Sequence, residues 1–122
     1  MAGNFYIIDD NPIDLLVSSK MVQRTFGGQV KTLNGGSEAI DYFKSETVKD
    51  NSIILLDVKM PEMDGFEFLT CFEPFVANAK DIRIFMLSST LDRYDLDRAA
   101  KHKRVTKLLN KPLDTEELKG LL

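Results

Sequence analysis

Cysteine, histidine and tryptophan are scarce in this 122-residue sequence, with one, one and none respectively. A single cysteine, Cys71, cannot form an intramolecular disulfide, so a reducing, cytoplasmic compartment is expected. The apolar neighbours of Cys71 predict a small hydrophobe on a helix rather than a nucleophile or a metal ligand. His102 lies in a basic stretch without a second histidine, which is typical of a surface residue.

Long apolar runs and an excess of positive charge are also lacking. The apolar segments are far shorter than the ~20 residues of a membrane-spanning helix, so no membrane span or signal peptide is expected. Lys and Arg number 16 against 19 Asp and Glu, which gives a formal net charge of -3. The one basic cluster, residues 101–104, contains no aromatic residue, so direct nucleic-acid binding is not expected.

What the sequence does contain is an alternation of short apolar strands and amphipathic helices. The length and the 43% hydrophobic content fit one domain, residues 1–122, with a single core. The alternation predicts an α/β fold, in which a parallel sheet carries helices on both faces. The predicted strands are residues 5–8, 30–33, 53–56, 82–87 and 105–109.

Several residues predict where helices begin and how they pack. Asn11 followed by Pro12 is a strong helix start, because Asn caps and Pro suits the first helical position. Helical spacing predicts that the buried face of this first helix is formed by Ile13, Leu16, Val17 and Met21. Pro74 should kink or restart the third helix. Asp114, with Glu117 three residues later, predicts a capping box at the last helix.

Polar residues follow four of the predicted strands. Asp9 and Asp10 end the first strand, Asp57 the third, Ser88 the fourth and Lys111 the fifth. Because the carboxyl ends of parallel strands share one edge of the sheet, these side chains should converge. Three adjacent carboxylates repel one another, and a hard divalent cation such as Mg²⁺ relieves that repulsion. The pattern therefore predicts a metal site at this edge.

A cation, an ammonium and a hydroxyl around one carboxylate suit phosphoryl transfer. Asp57 would act as the nucleophile and form an acyl phosphate. The metal and Lys111 would stabilise the charge on the phosphoryl oxygens, which is most of what this chemistry needs. Ser88 would donate a hydrogen bond to the phosphoryl group.

These residues carry a family resemblance. The acidic pair Asp9–Asp10, the segment 57–65 (DVKMPEMDG), Ser88 and the Lys111–Pro112 pair stand in the same order and context. The chain thereby resembles the receiver domain of two-component response regulators over essentially its whole length.

The resemblance implies a flavodoxin-like (βα)5 three-layer sandwich with strand order 2-1-3-4-5. It implies phosphorylation of Asp57 by a sensor histidine kinase or a histidine phosphotransfer protein. Mg²⁺ (or Mn²⁺) would be held by Asp10, Asp57 and the Lys59 carbonyl, and by Asp9 through water. Lys111 would pair with Asp57 or its phosphoryl group, and the bond before Pro112 would be cis.

Two features depart from the family pattern or vary within it. Leu108 stands on the fifth strand where the family usually has an aromatic switch residue, so the usual hydroxyl-to-aromatic coupling is in doubt. Lys59 and Thr90 occupy variable positions that tune phosphate lifetime in the family. Lys59 is expected to meet either the phosphoryl group or Glu62.

The leading hypothesis is a phospho-accepting switch that is not a turnover enzyme and acts on an unidentified downstream protein. Its responding surface would be the fourth helix, fifth strand and last helix, with Asp92, Asp95 and Asp97 on the exposed partner face. A degenerate receiver acting as a docking scaffold is the main alternative. An aspartyl-nucleophile phosphatase is less favoured, because Lys59 replaces its general acid. A nucleotide-binding protein is weaker still, because no glycine-rich loop follows the first strand.

Overall fold

Five strands and five helices alternate in the computed structural model, which describes residues 4–122. Residues 1–3 of the predicted domain lie outside this described part. The elements are β1 (Asn4–Asp9), α1 (Pro12–Phe26), β2 (Gln29–Asn34), α2 (Gly36–Ser45), β3 (Ser52–Asp57), α3 (Gly65–Val76), β4 (Arg83–Ser88), α4 (Arg93–Lys101), β5 (Val105–Asn110) and α5 (Thr115–Leu121).

The strands form one parallel sheet in the order β2-β1-β3-β4-β5. This order and the α/β fold class were both predicted, and both are confirmed. The two central strands on which the site depends are β1 and β3, and they pair directly. Their carboxyl ends therefore lie side by side at one edge of the sheet.

Alternation along each strand divides the core into two layers. In β1, Phe5 and Ile7 pack with buried residues of α1 and α5, whereas Tyr6 and Ile8 pack with buried residues of α2, α3 and α4. Successive side chains of a strand point to opposite faces, so each strand serves both layers. The result is a sheet buried on both sides, which gives the strand ends a rigid support.

The buried face of α1 differs from the prediction. Its core residues are Leu15 and Val22, while Ile13, Leu16 and Val17 are 71%, 57% and 48% exposed. Apolar residues cover two stripes of this helix, and spacing within the helix does not say which stripe faces the sheet. The exposed residues Ile13, Leu16 and Val17, called the α1 patch below, lie within one turn of each other near the start of α1.

The structure contradicts a restart of α3 at Pro74 and the expected inward position of Cys71. The helix runs through Pro74 to Val76 without restarting, and buried Phe72 and Val76 on either side of Pro74 anchor its last turn. The single thiol, Cys71, is exposed. The inward stripe is already supplied by larger residues, including Phe68 and Phe72, so Cys71 falls on the solvent side.

Capping also differs in part from expectation. The start of α1 is as predicted, since the Asn11 side chain accepts hydrogen bonds from two backbone amides and Pro12 is the first helical residue. Asp114 caps α5 by accepting from the amides of Glu116 and Glu117. A complete reciprocal box is found instead at α3, between Asp64 and Glu67. Asp64 thus fixes the helix that begins directly behind the site.

Gly65 is needed because its backbone passes very close to β3. A Cβ atom there would lie 2.6 Å from the carbonyl oxygen of Asp57 and 2.7 Å from Cε of Met86. We expect Gly65→Ala to destabilise the protein by about 2 kcal/mol, because the backbone carbonyl cannot rotate away. Urea unfolding measures this, with Gly120→Ala as control, since a Cβ there meets nothing within 4 Å. Equal stability of the two variants would contradict the close approach.

Candidate functional site

Three carboxylates meet at the carboxyl edge of the sheet. One oxygen from each of Asp9, Asp10 and Asp57 lies within 4.8 Å of the others. Asp9 and Asp57 are only 4% and 5% exposed, and Asp10 is partly exposed. The order of the strands produces this meeting, because Asp9 ends β1 and Asp57 ends the adjacent β3.

Lys111 lies over this cluster. Its Nζ donates to Asp9 Oδ2 at 2.9 Å, and is 3.3 Å from Asp57 Oδ1. It also donates to Asp14 Oδ2 at 3.3 Å. Sequence reasoning missed Asp14, although an acid in the first turn of the helix that follows Asp9 was a usable signal. The bond between Lys111 and Pro112 is cis, as the resemblance implied.

The two groups that face each other have displaced pKa values. Burial raises the pKa of Asp57 from 3.8 to about 6, and the charge of Asp9 adds to this, while Lys111 opposes it. Burial lowers the pKa of Lys111, but its hydrogen bond to Asp9 and the charge of Asp57 outweigh burial, so this pKa lies above its ordinary value. When both are ionised, the carboxylates of Asp9 and Asp57 therefore carry more negative charge than the single Lys111 ammonium neutralises.

Protonation of Asp57 gives a pH-dependent stability. A carboxyl whose pKa is higher in the folded state binds more protons there than in the unfolded chain, so its contribution to stability falls as pH rises from about 4 to about 6. We expect wild type to lose up to about 2 kcal/mol relative to Asp57→Asn across this range. Urea unfolding of both proteins at several pH values tests this, and a pH-independent difference would contradict it.

Ser88 reaches the same edge, but its hydroxyl is engaged locally. It is fully buried, donates to the carbonyl of Thr90 at 2.6 Å and accepts from the Thr90 amide at 3.2 Å. The backbone carbonyl of Ser88 accepts from the Lys111 amide at 2.8 Å. Ser88 thus connects the lysine-bearing loop to the β4–α4 loop through its backbone carbonyl and its hydroxyl.

Of the two partners expected for Lys59, Glu62 is not the one it contacts. Its Nζ lies 3.7 Å from Asp95 Oδ2 on α4, and within residues 4–122 it forms no ion pair with Glu62. Asp95 is 2% exposed, so it does not belong to the exposed partner face on which it was predicted. Sequence reasoning missed this because Asp95 sits among exposed acids, of which Asp92 caps α4 and Asp97 faces solvent.

The surface of α4 carries a stack of three side chains. The guanidinium of Arg98 lies 3.9 Å from the ring centre of Phe66 and 5.2 Å from that of Tyr94. Tyr94 is 69% exposed, whereas Leu108 on the adjacent strand β5 is 5% exposed and packs in the core. An exposed aromatic therefore stands on α4, while the position of the expected aromatic on β5 is filled by a buried leucine.

The donor set suits a hard divalent cation. Three carboxylates and one ammonium leave two net negative charges when all are ionised, and carboxylate oxygens are the ligands that Mg²⁺ takes. Partial exposure of Asp10 leaves room for the waters that Mg²⁺ retains.

Among residues 4–122, no helix is both long and apolar enough to cross a membrane.

Comparison with known proteins gives a consistent result. A family model described as the response regulator receiver domain matches residues 5–122. The chain is 31% identical over 114 residues to the two-component response regulator ARR10 of Arabidopsis thaliana, covering 93% of this chain and 19% of that protein. It is 28% identical over 117 residues to the probable methanogenesis regulatory protein FilR2 of Methanothrix harundinacea, covering 93% and 74% respectively.

The relatives differ greatly in length. Hybrid signal transduction histidine kinase L of Dictyostelium discoideum is 24% identical over 123 residues, and the chain spans 7% of it. Among solved structures, a response regulator receiver protein from Dyadobacter fermentans is 34% identical with a TM-score of 0.83, covering 98% of this chain and 94% of that one. Chemotaxis protein CheY4 of Vibrio cholerae, at 23% identity and a TM-score of 0.79 with both chains fully covered, shares the fold.

Proposed function

Since this chain belongs to the response regulator receiver domain family, we propose that residues 1–122 form one receiver domain that accepts a phosphoryl group on Asp57. The observation that carries the proposal is the position of Lys111, whose ammonium contacts both Asp9 and Asp57 at the carboxyl edge of the sheet. Receiver domains are signalling switches of two-component systems. We propose that this one acts in the cytoplasm as a switch and not as a turnover enzyme.

In the proposed reaction, an Asp57 carboxylate oxygen attacks the phosphorus of a phosphohistidine. A phosphorus–oxygen bond forms, the phosphorus–nitrogen bond breaks, and the histidine nitrogen keeps the electron pair and later takes a proton from water. The Lys111 ammonium is placed to stabilise the negative charge on the phosphoryl oxygens. Ser88 would exchange its hydrogen bond to Thr90 for one to the phosphoryl group. Hydrolysis of the acyl phosphate restores Asp57 and releases phosphate.

Receiver domains bind Mg²⁺ in an acidic pocket, and the cluster of three aspartates fits that role. We propose that Asp10, Asp57 and the Lys59 carbonyl hold Mg²⁺ (or Mn²⁺), with Asp9 acting through water. When bound, the cation supplies positive charge to the phosphoryl oxygens and relieves the repulsion among the carboxylates. Ionised Asp57 is the nucleophilic form, so the carboxylate cluster must lose its proton before it can react.

Receiver domains take their phosphoryl groups from histidine kinases and phosphotransfer proteins. We propose that such a donor docks on the α1 patch, because this apolar surface is exposed and α1 begins beside the site. The link is direct, since Asp14 in the first turn of α1 contacts the ammonium of Lys111. A partner on this patch would bring its histidine to the rim that holds Asp57.

A substitution in the α1 patch should slow phosphorylation by a protein donor but not by a small-molecule donor. We expect Leu16→Ser to slow phosphorylation by a phosphorylated histidine phosphotransfer protein roughly tenfold, because contact with one large apolar residue is lost. Labelling by acetyl phosphate should not change, because this small donor needs no docking surface. Radiolabel transfer measures both, with Tyr94→Ser as a control on α4, where Tyr94 is 69% exposed. Equal slowing by both substitutions would contradict docking on α1.

The downstream partner is proposed to bind the face formed by α4, β5 and α5. The exposed residues Asp92 and Asp97 and the stack of Arg98 on Tyr94 give this face both charge and apolar area. Phosphorylation would shift an existing equilibrium of the β4–α4 loop through Ser88 and Thr90. The buried position of Asp95 removes it from this binding face.

The test is incubation with Mg²⁺ and acetyl phosphate, followed by mass spectrometry of the intact protein. We expect one adduct of about 80 Da, a single phosphoryl group, which does not form when EDTA removes the metal. Release of many phosphates per protein from varied phosphate esters would instead show a phosphatase. Absence of any adduct, with fold and Mg²⁺ binding intact, would overturn the proposal in favour of a docking scaffold.

A further inference from the structure

Asp95 is a buried acid with incomplete hydrogen bonding. Its side chain is 3% exposed, and within the described chain Oδ2 makes no hydrogen bond. Among residues 4–122 this oxygen forms an ion pair with the Lys59 ammonium at 3.7 Å, a distance too long for a hydrogen bond. Burial of a charged oxygen without hydrogen bonds is costly, and the Lys59 ammonium offsets part of that cost.

The helix terminus does not account for this side chain. Asp95 occupies the third position of α4, where the helix dipole favours a negative charge. At the same position of α3, the Glu67 side chain accepts a hydrogen bond from the amide of Asp64 and completes a capping box. In α4 only one half of that exchange exists, from the Asp95 amide to Asp92. The Asp95 carboxylate faces Lys59 instead of capping the helix.

Lys59 and Asp95 differ in their freedom to move. The Lys59 side chain is 64% exposed and follows Asp57 by two residues, in the loop that leaves β3. A lysine has a long flexible stem and its ammonium can change partner. Asp95 is fixed on the buried side of α4 and cannot follow. An exchange of partner by Lys59 would therefore leave a buried carboxylate without a cation.

We propose that Asp95 is a positioning residue that holds the Lys59 ammonium against the first turn of α4 until Asp57 is phosphorylated. The phosphoryl oxygens then compete with Asp95 for this ammonium, and its transfer weakens the attachment of α4 to the loop after β3. The competition step rests on the proposed phosphorylation of Asp57. It gives the site a connection to α4 that needs no aromatic ring on β5, where Leu108 stands.

The ion pair between Lys59 and Asp95 in the unphosphorylated protein is tested by a double-mutant cycle, without metal or phosphate. Urea unfolding is measured for wild type, Lys59→Met, Asp95→Asn and the double variant, since these changes remove one charge each and keep side-chain size. We expect the two substitutions to be non-additive by roughly twofold to fivefold in the unfolding equilibrium constant. Additive effects would show that Lys59 and Asp95 do not stabilise each other, whether or not Asp57 accepts a phosphoryl group.

The proposed competition between Asp95 and the phosphoryl oxygens for the Lys59 ammonium is tested by the rate at which the phosphoryl group is lost from Asp57. We expect Asp95→Asn to slow this loss roughly threefold or more, because the freed ammonium stays on the phosphoryl oxygens and obstructs the approach of water. In the Lys59→Met background the same change should have no effect. Asp97→Asn, on the exposed side of α4, is the matched control.

The outcomes separate the two proposals. An equal effect of Asp95→Asn with and without Lys59 would overturn the positioning role, since it would show a general effect on α4. A wild-type protein that takes up no phosphoryl group would overturn the proposed function, and with it the competition step. The unfolding cycle would still decide whether Asp95 holds Lys59 in the resting protein.

Discussion

Replacing Asp57 with Asn is expected to abolish the adduct of about 80 Da and, at the same time, to make the resting protein more stable. The amide of Asn has no nucleophilic carboxylate oxygen, so no acyl phosphate forms. The buried carboxyl of Asp57 has its pKa raised to about 6, so keeping it ionised at neutral pH opposes folding. We expect a gain of about 1–2 kcal/mol near pH 7.

Intact-mass spectrometry and urea unfolding measure the two effects on the same samples. Asp41→Asn is the control, because Asp41 is 76% exposed on α2 and its ion pair with Lys44 is a long contact of 3.5 Å. It should keep the adduct and leave stability nearly unchanged. If Asp57→Asn still acquired the adduct, another residue would be the acceptor. If it lost stability near neutral pH, the electrostatic conflict inferred for the resting site would be wrong.

Removal of the Lys111 ammonium should have the opposite effect on stability. Lys111→Met leaves Asp9 and Asp57 buried without a cation, and removal of one partner from such a cluster costs about 3 kcal/mol. Urea unfolding in EDTA near pH 7 measures the loss. Saturating Mg²⁺ should restore part of it, since the cation neutralises the same carboxylates and binds only the folded protein.

Phosphoryl uptake should also fall by at least tenfold in Lys111→Met, because the ammonium no longer stabilises the phosphoryl oxygens. Lys107→Met is the matched control, since Lys107 lies on β5, the strand that ends just before Lys111, and is exposed. It should change neither stability nor uptake appreciably. If lowering the pH alone restored Lys111→Met to full stability, the loss would be due only to the uncompensated charge of the carboxylates. Stability equal to that of wild type at every pH would contradict the role of Lys111.

The residues at the carboxyl edge of the sheet were predictable because they depend on where each strand ends in the sequence and on few long-range contacts. Once the strands are parallel, Asp9, Asp57 and Lys111 must lie at the same edge of the sheet, and the strand order then decides how near they are. The Asn11–Pro12 helix start was equally local, since the cap involves only adjacent residues. Strand order 2-1-3-4-5 came from the family resemblance and not from the pattern of residues.

Helix orientation was less predictable, because it is decided by contacts distant in sequence. Leu15 and Leu16 are adjacent and equally apolar, yet one is 7% and the other 57% exposed. Which of them faces the sheet depends on how α1 packs against β1 and α5. Cys71 was misplaced for a related reason, since the inward stripe of α3 was already filled by larger residues.

Asp95 shows where sequence reasoning fails for charged residues. Its neighbours Asp92 and Asp97 are exposed, so an acidic helix surface was the natural interpretation. Its burial depends on the close packing of α4 beside the loop that carries Lys59, a contact between residues 36 positions apart. Asp14 was missed similarly, because its contact with Lys111 joins the two ends of the chain.

The division of the core into two layers has a consequence for the order of binding events. The α1 patch lies on the side of the sheet that α1 and α5 cover, whereas α4 lies on the opposite side with α2 and α3. A phosphate donor on the α1 patch would thus leave α4 uncovered, but it would lie on the same side of the sheet as α5, which also belongs to the proposed target face. A target held by α4 alone would stay bound while the donor acts, whereas a target that also covers α5 would share that side of the sheet with the donor.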